Sequence, residues 1–273
     1  MFEYKKFNNI INLGDHCSTA FMLIFFNLRK NSQPFDWIVN INPQMRGGGH
    51  FLQVAEILKD RFCNFFDKDD FEQYDDGEKN RDSKELNYLN KKTGFLFSHD
   101  FYIDKTFART FDDVKEKYSR RIKRVLKFLD TKDCNNLLIF LDCNHEKYSQ
   151  DDIKDSVISA FYELKKYFKS NLSLVYFCEN HKIDYSFDVQ ELSNDIIFVS
   201  YNQRVDGFIT YYARYYSLKN FINKYICPKS NTLKSRFIMF IINFIPSKAL
   251  RKKIREAYRR KIGCYDIPVQ AGV

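Results

Sequence analysis

Apolar positions change their spacing repeatedly along this chain, and each change marks an element. The run Ile10-Ile11-Asn12-Leu13 gives Asn8–Leu13 the pattern of a buried strand, which breaks at Gly14-Asp15-His16. From Cys17 to Lys30, Ala20, Phe21, Leu23, Ile24, Phe25 and Leu28 recur at helical spacing. A turn at Asn31–Pro34 and a short extended piece at Phe35–Val39 follow, then a loop at Asn42–His50 with Gly47-Gly48-Gly49 as its flexible point. Phe51–Phe62 again has helical spacing. Residues 64–92 are polar, with acidic clusters at Asp67–Asp70 and Asp75-Asp76, and read as a solvated loop.

The second half alternates more regularly. Gly94–Phe97 predicts a strand ending at Ser98-His99-Asp100, and Leu137–Leu141 one ending at Asp142-Cys143-Asn144-His145. Between them Phe111–Leu129 predicts an amphipathic helix, with Phe111, Val114, Tyr118, Ile122, Val125, Leu126 and Leu129 on one face. Its other face carries Lys115, Lys117, Arg120, Arg121, Lys123, Arg124 and Lys127, which could grip a phosphate-bearing ligand or simply face water. A helix at Asp151–Phe168, strands at Leu172–Phe177 and Ile196–Val199 and a tyrosine-rich helix at Phe208–Ile226 complete the body. This alternation predicts an α/β fold: a single domain over residues 1–228, with a largely parallel central sheet flanked by helices in a three-layer sandwich. Ligands of such sheets sit at the carboxyl ends of the strands. Three polar clusters are expected there: Gly14–Cys17, Ser98–Asp100 and Asp142–His145.

Charge separates a tail, residues 229–273, from the body. Residues 218–273 carry a net +11, whereas residues 1–217 carry −2. A near-neutral body argues against nucleic acid as a partner. In the tail the nine-residue apolar run Phe237–Ile245 is too short to span a bilayer, which needs roughly 20 residues. With the basic stretch that follows it, residues 237–261 have the pattern of an anchor at an anionic membrane surface. The chain has seven cysteines, an odd number without metal-ligand or C-x-x-C spacing, and its start lacks the apolar segment of a secretory signal. A reduced, cytoplasmic protein, peripheral at the inner face of the membrane, is expected, with no metal and no cofactor.

Cys17 stands at a helix start, where unpaired N–H groups and the helix dipole ease ionisation of a thiol. A nucleophilic thiol needs a base and a group that orients the base. Candidate bases are His99, His145, His16 and His50, with His99 preferred for its place after an apolar run. Candidate orienting groups are Asp142, Asp100 and Asp36, with Asp142 on the strand expected beside that of His99.

Four segments in order, Leu13-Gly14-Asp15-His16-Cys17, Pro34-Phe35-Asp36-Trp37, Phe97-Ser98-His99-Asp100-Phe101 and Tyr118-Ser119-Arg120-Arg121-Ile122, resemble those of a bacterial family of unknown function described as papain-like cysteine peptidases. The resemblance covers roughly residues 8–145. It implies a Cys17 nucleophile and a His99 base, offers a papain-like α+β fold as the alternative architecture, and leaves the third member open, Asp142 following the papain-like order. Asp15, His16, Asp36, Trp37, Asp100, Arg120 and Arg121 are the expected substrate-binding residues. The tail segment Ile245–Arg255 is similar to those of capsule and lipopolysaccharide biosynthesis enzymes, which would make the substrate a glycan precursor or an acyl-carrying small molecule. Gly14–Cys17 and Asp142–His145 also resemble the G-D-S and D-x-x-H blocks of SGNH esterases, in which His145 would be the base. A non-catalytic glycan- or partner-binding protein, with Cys17 and His99 structural, is the other class.

Overall fold

The structure, a computed structural model, describes residues 2, 7–14, 16–26, 28–42, 48–63, 65–75, 85–142, 149–180, 182–183, 187–202, 216–226, 241, 247, 250 and 254. Asp15, Cys143–His145 and nearly all of the tail lie outside the described residues, as do residues 208–215 of the expected last helix. Among the described residues, no helix is long and apolar enough to cross a membrane.

The core is a five-stranded sheet in the order β1-β6-β7-β9-β8. Its strands are β1 (Asn9–Asn12), β6 (Asn135–Asp142), β7 (Asn171–Glu179), β8 (Phe187–Glu191) and β9 (Ile196–Tyr201). The pairs β1–β6, β6–β7 and β7–β9 are parallel, and β8 joins the edge antiparallel. Strand periodicity splits β6 cleanly. Leu137, Ile139 and Leu141 pack on the face with Met22 and Leu23, whereas Leu138 and Phe140 face Phe51 and Phe161. Both faces are covered, so the strands read as continuous apolar runs. On one side lie α1 (Cys17–Phe25) and α5 (Tyr216–Phe221); α2 (Gly49–Lys59), α3 (Phe107–Asp130) and α4 (Gln150–Tyr167) contribute to the cluster on the other. The expected α/β sheet flanked by helices is therefore present in a single domain.

Helix ends follow local chemistry. Ser149 caps α4 by accepting from the Asp152 N–H, with Asp151 and Asp152 in the first turn where the helix dipole favours acids. Gly48, expected as a flexible point, instead has φ +86° and forms the left-handed cap of α2, which begins at Gly49 rather than Phe51. α1 stops at Phe25, short of the expected Lys30, because the N–H groups of Leu28 and Arg29 both turn back onto the Leu23 carbonyl.

A second sheet changes the expected picture. β2 (Ile38–Asn40), β3 (Phe71–Gln73), β4 (Glu85–Asn90) and β5 (Phe95–Tyr102) form an antiparallel sheet in the order β2-β5-β4-β3. Two of its strands come from residues 64–92, the segment expected to be a solvated loop. β5 was expected in the parallel sheet beside β6; it pairs with β2 and β4 instead. One face of this sheet carries Phe71, Tyr88, Phe95, Phe97 and Phe101; Phe71, Tyr88, Phe97 and Phe101 pack with Phe107, Phe111 and Tyr118 of α3, and Phe95 with Phe35 and Phe65. Ser98-His99-Asp100 therefore lies inside a strand, not at the end of one.

Candidate functional site

β1 delivers the chain to the site through a polar lock. Gly14, at φ +97°, makes the turn that L side chains resist, and its N–H is held by Asn12 Oδ1 at 2.9 Å. Asn12 Nδ2 donates to Asp36 Oδ1 at 3.0 Å. Gln33 lies along the free edge of β1 like a short strand, accepting from the Asn12 N–H and donating to the Ile10 carbonyl. Asp36 also accepts from the Gln33 N–H at 2.6 Å and pairs with Arg29 at 2.5 Å. Fully buried, it fixes the Pro34–Trp37 segment from beneath the surface.

The helix start holds Cys17. His16 is the N-cap of α1; its Nδ1 accepts from the Ser18 N–H at 3.3 Å and lies 2.7 Å from Ser18 Oγ. The Cys17 thiol lies 3.5 Å from the same nitrogen. Burial lowers the His16 pKa, which keeps the ring neutral with Nδ1 as acceptor. Burial also pushes the Cys17 thiol above its ordinary value, and the N–H groups of Cys17 and Ser18 offset that only in part. The eased ionisation expected at a helix start is thus outweighed here by desolvation.

His99 owes its position to a β-bulge. Phe97 pairs with Tyr88 and Phe101 with Leu86, so three residues of β5 oppose the single Asn87 of β4. Simple alternation would turn His99 inward with Phe97 and Phe101. The bulge interrupts the alternation: Asp100 is buried and His99 is exposed, and Phe101 is buried again. His99 Nδ1 lies 3.0 Å from Glu85 Oε2, and its ring meets Trp37 edge-on at 6.0 Å. Trp37 in turn contacts Phe21, one turn after Cys17 on α1, at 5.1 Å, and the Arg29 guanidinium at 5.5 Å. Trp37 thus sits between His99 and Phe21 of α1; the hydrogen-bond neighbours of His99 and Cys17 themselves are Glu85 and His16.

The remaining candidates have distinct places. Asp100 accepts from Tyr118 Oη at 2.7 Å and from Lys117, joining β5 to α3. Burial, then the Asp100 charge, raises the Tyr118 pKa well above its usual value. Asp142 is buried at the end of β6, accepts from Tyr176, and belongs to a different sheet from His99. His50 is buried, with Nε2 3.0 Å from the Asn42 carbonyl. Arg120 pairs with Glu116 on the exposed face of α3, and Arg121 stacks 5.0 Å over Tyr118. Glu85 does not stand out in the sequence because the charged residues around it give the segment the composition of a loop, although Glu85–Asn90, the Lys91–Gly94 turn and Phe95 carry a hairpin pattern.

Residues 8–174 match the model of a family described as "Putative papain-like cysteine peptidase". An uncharacterized protein of Acanthamoeba polyphaga mimivirus is 28% identical over 127 residues, covering 42% of this chain and 53% of that protein. The chain spans about half the length of this curated relative. No solved structure matches.

Proposed function

Because the chain belongs to this papain-like cysteine peptidase family, we propose that Cys17 is the nucleophile of an acyl-transfer reaction, with His99 as general base and Glu85 as the group that orients it. The observation that carries the reading is the His99–Glu85 pair: a carboxylate 3.0 Å from Nδ1 selects the tautomer whose Nε2 is basic. A thiol whose pKa is raised by burial is protonated at neutral pH, so the reaction needs a base at the moment of attack rather than a standing thiolate. His99 Nε2 takes the Sγ proton as sulfur adds to the substrate carbonyl. The departing alcohol or amine takes that proton, leaving a thioester on Cys17. Water, or the hydroxyl of an acceptor, then attacks the thioester, gives its proton to His99, and the thiol is restored as the acid or ester leaves.

The acceptor class separates hydrolase from transferase. An acyl-carrying glycan precursor, and with it a place in bacterial surface-polysaccharide synthesis, is supported by the resemblance of the tail segment Ile245–Arg255. Attachment to an anionic membrane surface is supported by the basic and apolar pattern of residues 237–261, in which Ile241 and Leu250 are about half exposed. Flotation on anionic vesicles with and without residues 237–261 tests it, and equal recovery of both forms would remove that part of the reading.

The central test is acylation of Cys17 by a β-lactone probe, followed by mass spectrometry of the Cys17 peptide. His99→Ala should slow acylation by about 100-fold or more, within the usual range for a general base. His16→Ala should change it far less. Equal acylation of the wild type and His99→Ala would instead favour a binding protein in which Cys17 and His99 are structural.

A further inference from the structure

A cavity of about 560 Å³ opens between the end of α1, the turn at residues 29–32 and α3. Among the described residues its wall contains Arg29, Lys30, Lys117, Arg120, Arg121 and Arg124 and no acidic residue. Three of these cations have carboxylate partners behind or beside them: Arg29 with Asp36, Lys117 with Asp100, and Arg120 with Glu116. Among the described residues the other three, Lys30, Arg121 and Arg124, have no carboxylate partner, so three positive charges remain uncompensated around one concave space. Water screens them, yet concentrating like charge on facing elements is unfavourable unless an anion offsets it.

The cations are also held in place. Asp36 anchors Arg29 from below, and the Trp37 ring lies beside its guanidinium. Arg124 Nη1 donates to the Ser32 carbonyl at 2.8 Å, which ties α3 to the turn across the cavity. The Arg121 guanidinium lies over the Tyr118 ring, 5.0 Å from its centroid, and the Tyr118 hydroxyl is fixed by Asp100. Two guanidinium nitrogens of this wall, Arg29 Nε and Arg121 Nη1, are buried with no hydrogen-bond partner among the described residues. Pre-set arginine forks with unsatisfied donors are suited to phosphate oxygens, which accept in pairs from guanidinium. Lys115, Lys123 and Lys127 of the same helix line a different cavity that also contains Asp67 and Asp130. The charge concentration is thus local to one side of α3.

We propose that this cavity binds the diphosphate group of a soluble ligand. A diphosphate supplies about three negative charges at neutral pH, which matches the uncompensated charge, and the concave wall suits a small group rather than a flat bilayer. This inference does not depend on Cys17 being a nucleophile.

Titration of the full chain with inorganic pyrophosphate, followed by calorimetry at fixed ionic strength, tests it. Saturable binding at one site per chain is expected. Arg120→Ala/Arg121→Ala should weaken it by about tenfold or more, roughly 1.4 kcal/mol. Lys123→Ala, on the same helix but outside the cavity, should leave it within about twofold of the wild type, less than roughly 0.4 kcal/mol. If the double variant unfolds, Arg120→Ala alone, on the exposed face, must still weaken binding. A nucleoside diphosphate should displace pyrophosphate. Absence of saturation at millimolar pyrophosphate, equal loss in Lys123→Ala, an equal response to acetate, or displacement only by vesicles of anionic phospholipid would each overturn the proposal.

Discussion

The two sheets of this protein bury themselves differently, and the difference decides which of them leaves a histidine accessible. The parallel sheet is covered on both faces, and its central strands β6 and β7 are buried along nearly their whole length. Polar side chains at its ends, Asn12 and Asp142, are themselves buried and spend their hydrogen bonds on neighbouring elements. The antiparallel sheet packs one aromatic face on α3 and leaves part of the other open, and there the bulge in β5 sets His99 beside Glu85. One sheet supplies rigidity; the other supplies an accessible imidazole. Asp36 joins them, because it is bonded to Asn12 of β1 and lies two residues before β2.

That joint gives the largest expected effect. Asp36→Ala removes one partner of a buried ion pair and leaves Arg29, itself only 11% exposed, without its carboxylate. Such a loss costs about 3–5 kcal/mol, and urea unfolding monitored by the fluorescence of Trp37, the single tryptophan, measures it. A loss below about 1 kcal/mol would mean that the two sheets are not coupled through this residue.

Tyr118→Phe tests the connection on the other side of the antiparallel sheet. It deletes a buried hydrogen bond to a carboxylate while Lys117 stays on Asp100. A decrease of about 1.5–3 kcal/mol in unfolding free energy is expected. An unchanged midpoint would show that Lys117 alone satisfies Asp100.

Alkaline pH should act in part through the parallel sheet. Burial raises the pKa of Cys178 in β7, and the nearby Asp142 charge raises it further. The native state then keeps a proton that the unfolded state loses near pH ~8.5, so stability falls as pH rises past that value. One such thiol contributes a slope of at most about 1.4 kcal/mol per pH unit. Cys178→Ala should flatten the alkaline limb of stability against pH by that amount, and an unchanged limb would place the titrating group elsewhere.

The parallel sheet was legible because burial on both faces writes itself as apolar runs, as in Leu137–Leu141 and Leu172–Phe177. α3 was legible from its helical spacing, Phe111, Val114, Tyr118, Val125 and Leu129 of its stripe being buried. The antiparallel sheet was not. Its β3 has one buried residue, and β4 hides among charged neighbours. Gly94–Phe97 could be read as a strand, but strand partners are not written in a single segment, so His99 was set beside Asp142 instead of Glu85. For the candidate site, the segments alone point to Cys17 and His99 as candidates, while the carboxylate next to His99 depends on a bulge and a hairpin register that periodicity does not report. The basic face of α3 was visible, but not that Arg29 and Lys30 meet half of it across a cavity.

Glu85→Gln carries the smallest expected change in stability and separates the two sheets most sharply. His99 and Glu85 are 45% and 35% exposed, so water screens their pairing and its loss costs about 0–1 kcal/mol. The same change removes the charge that favours the Nε2-basic form of His99 and should slow acylation of Cys17 by about tenfold or more, a part of the 10²–10⁴ that a general base supplies. A residue that maintained the fold would show the opposite ratio, as Asp36 should. If Glu85→Gln destabilises the protein by several kcal/mol and leaves acylation intact, the pair belongs to the architecture, and the division between a rigid parallel sheet and a working antiparallel one fails.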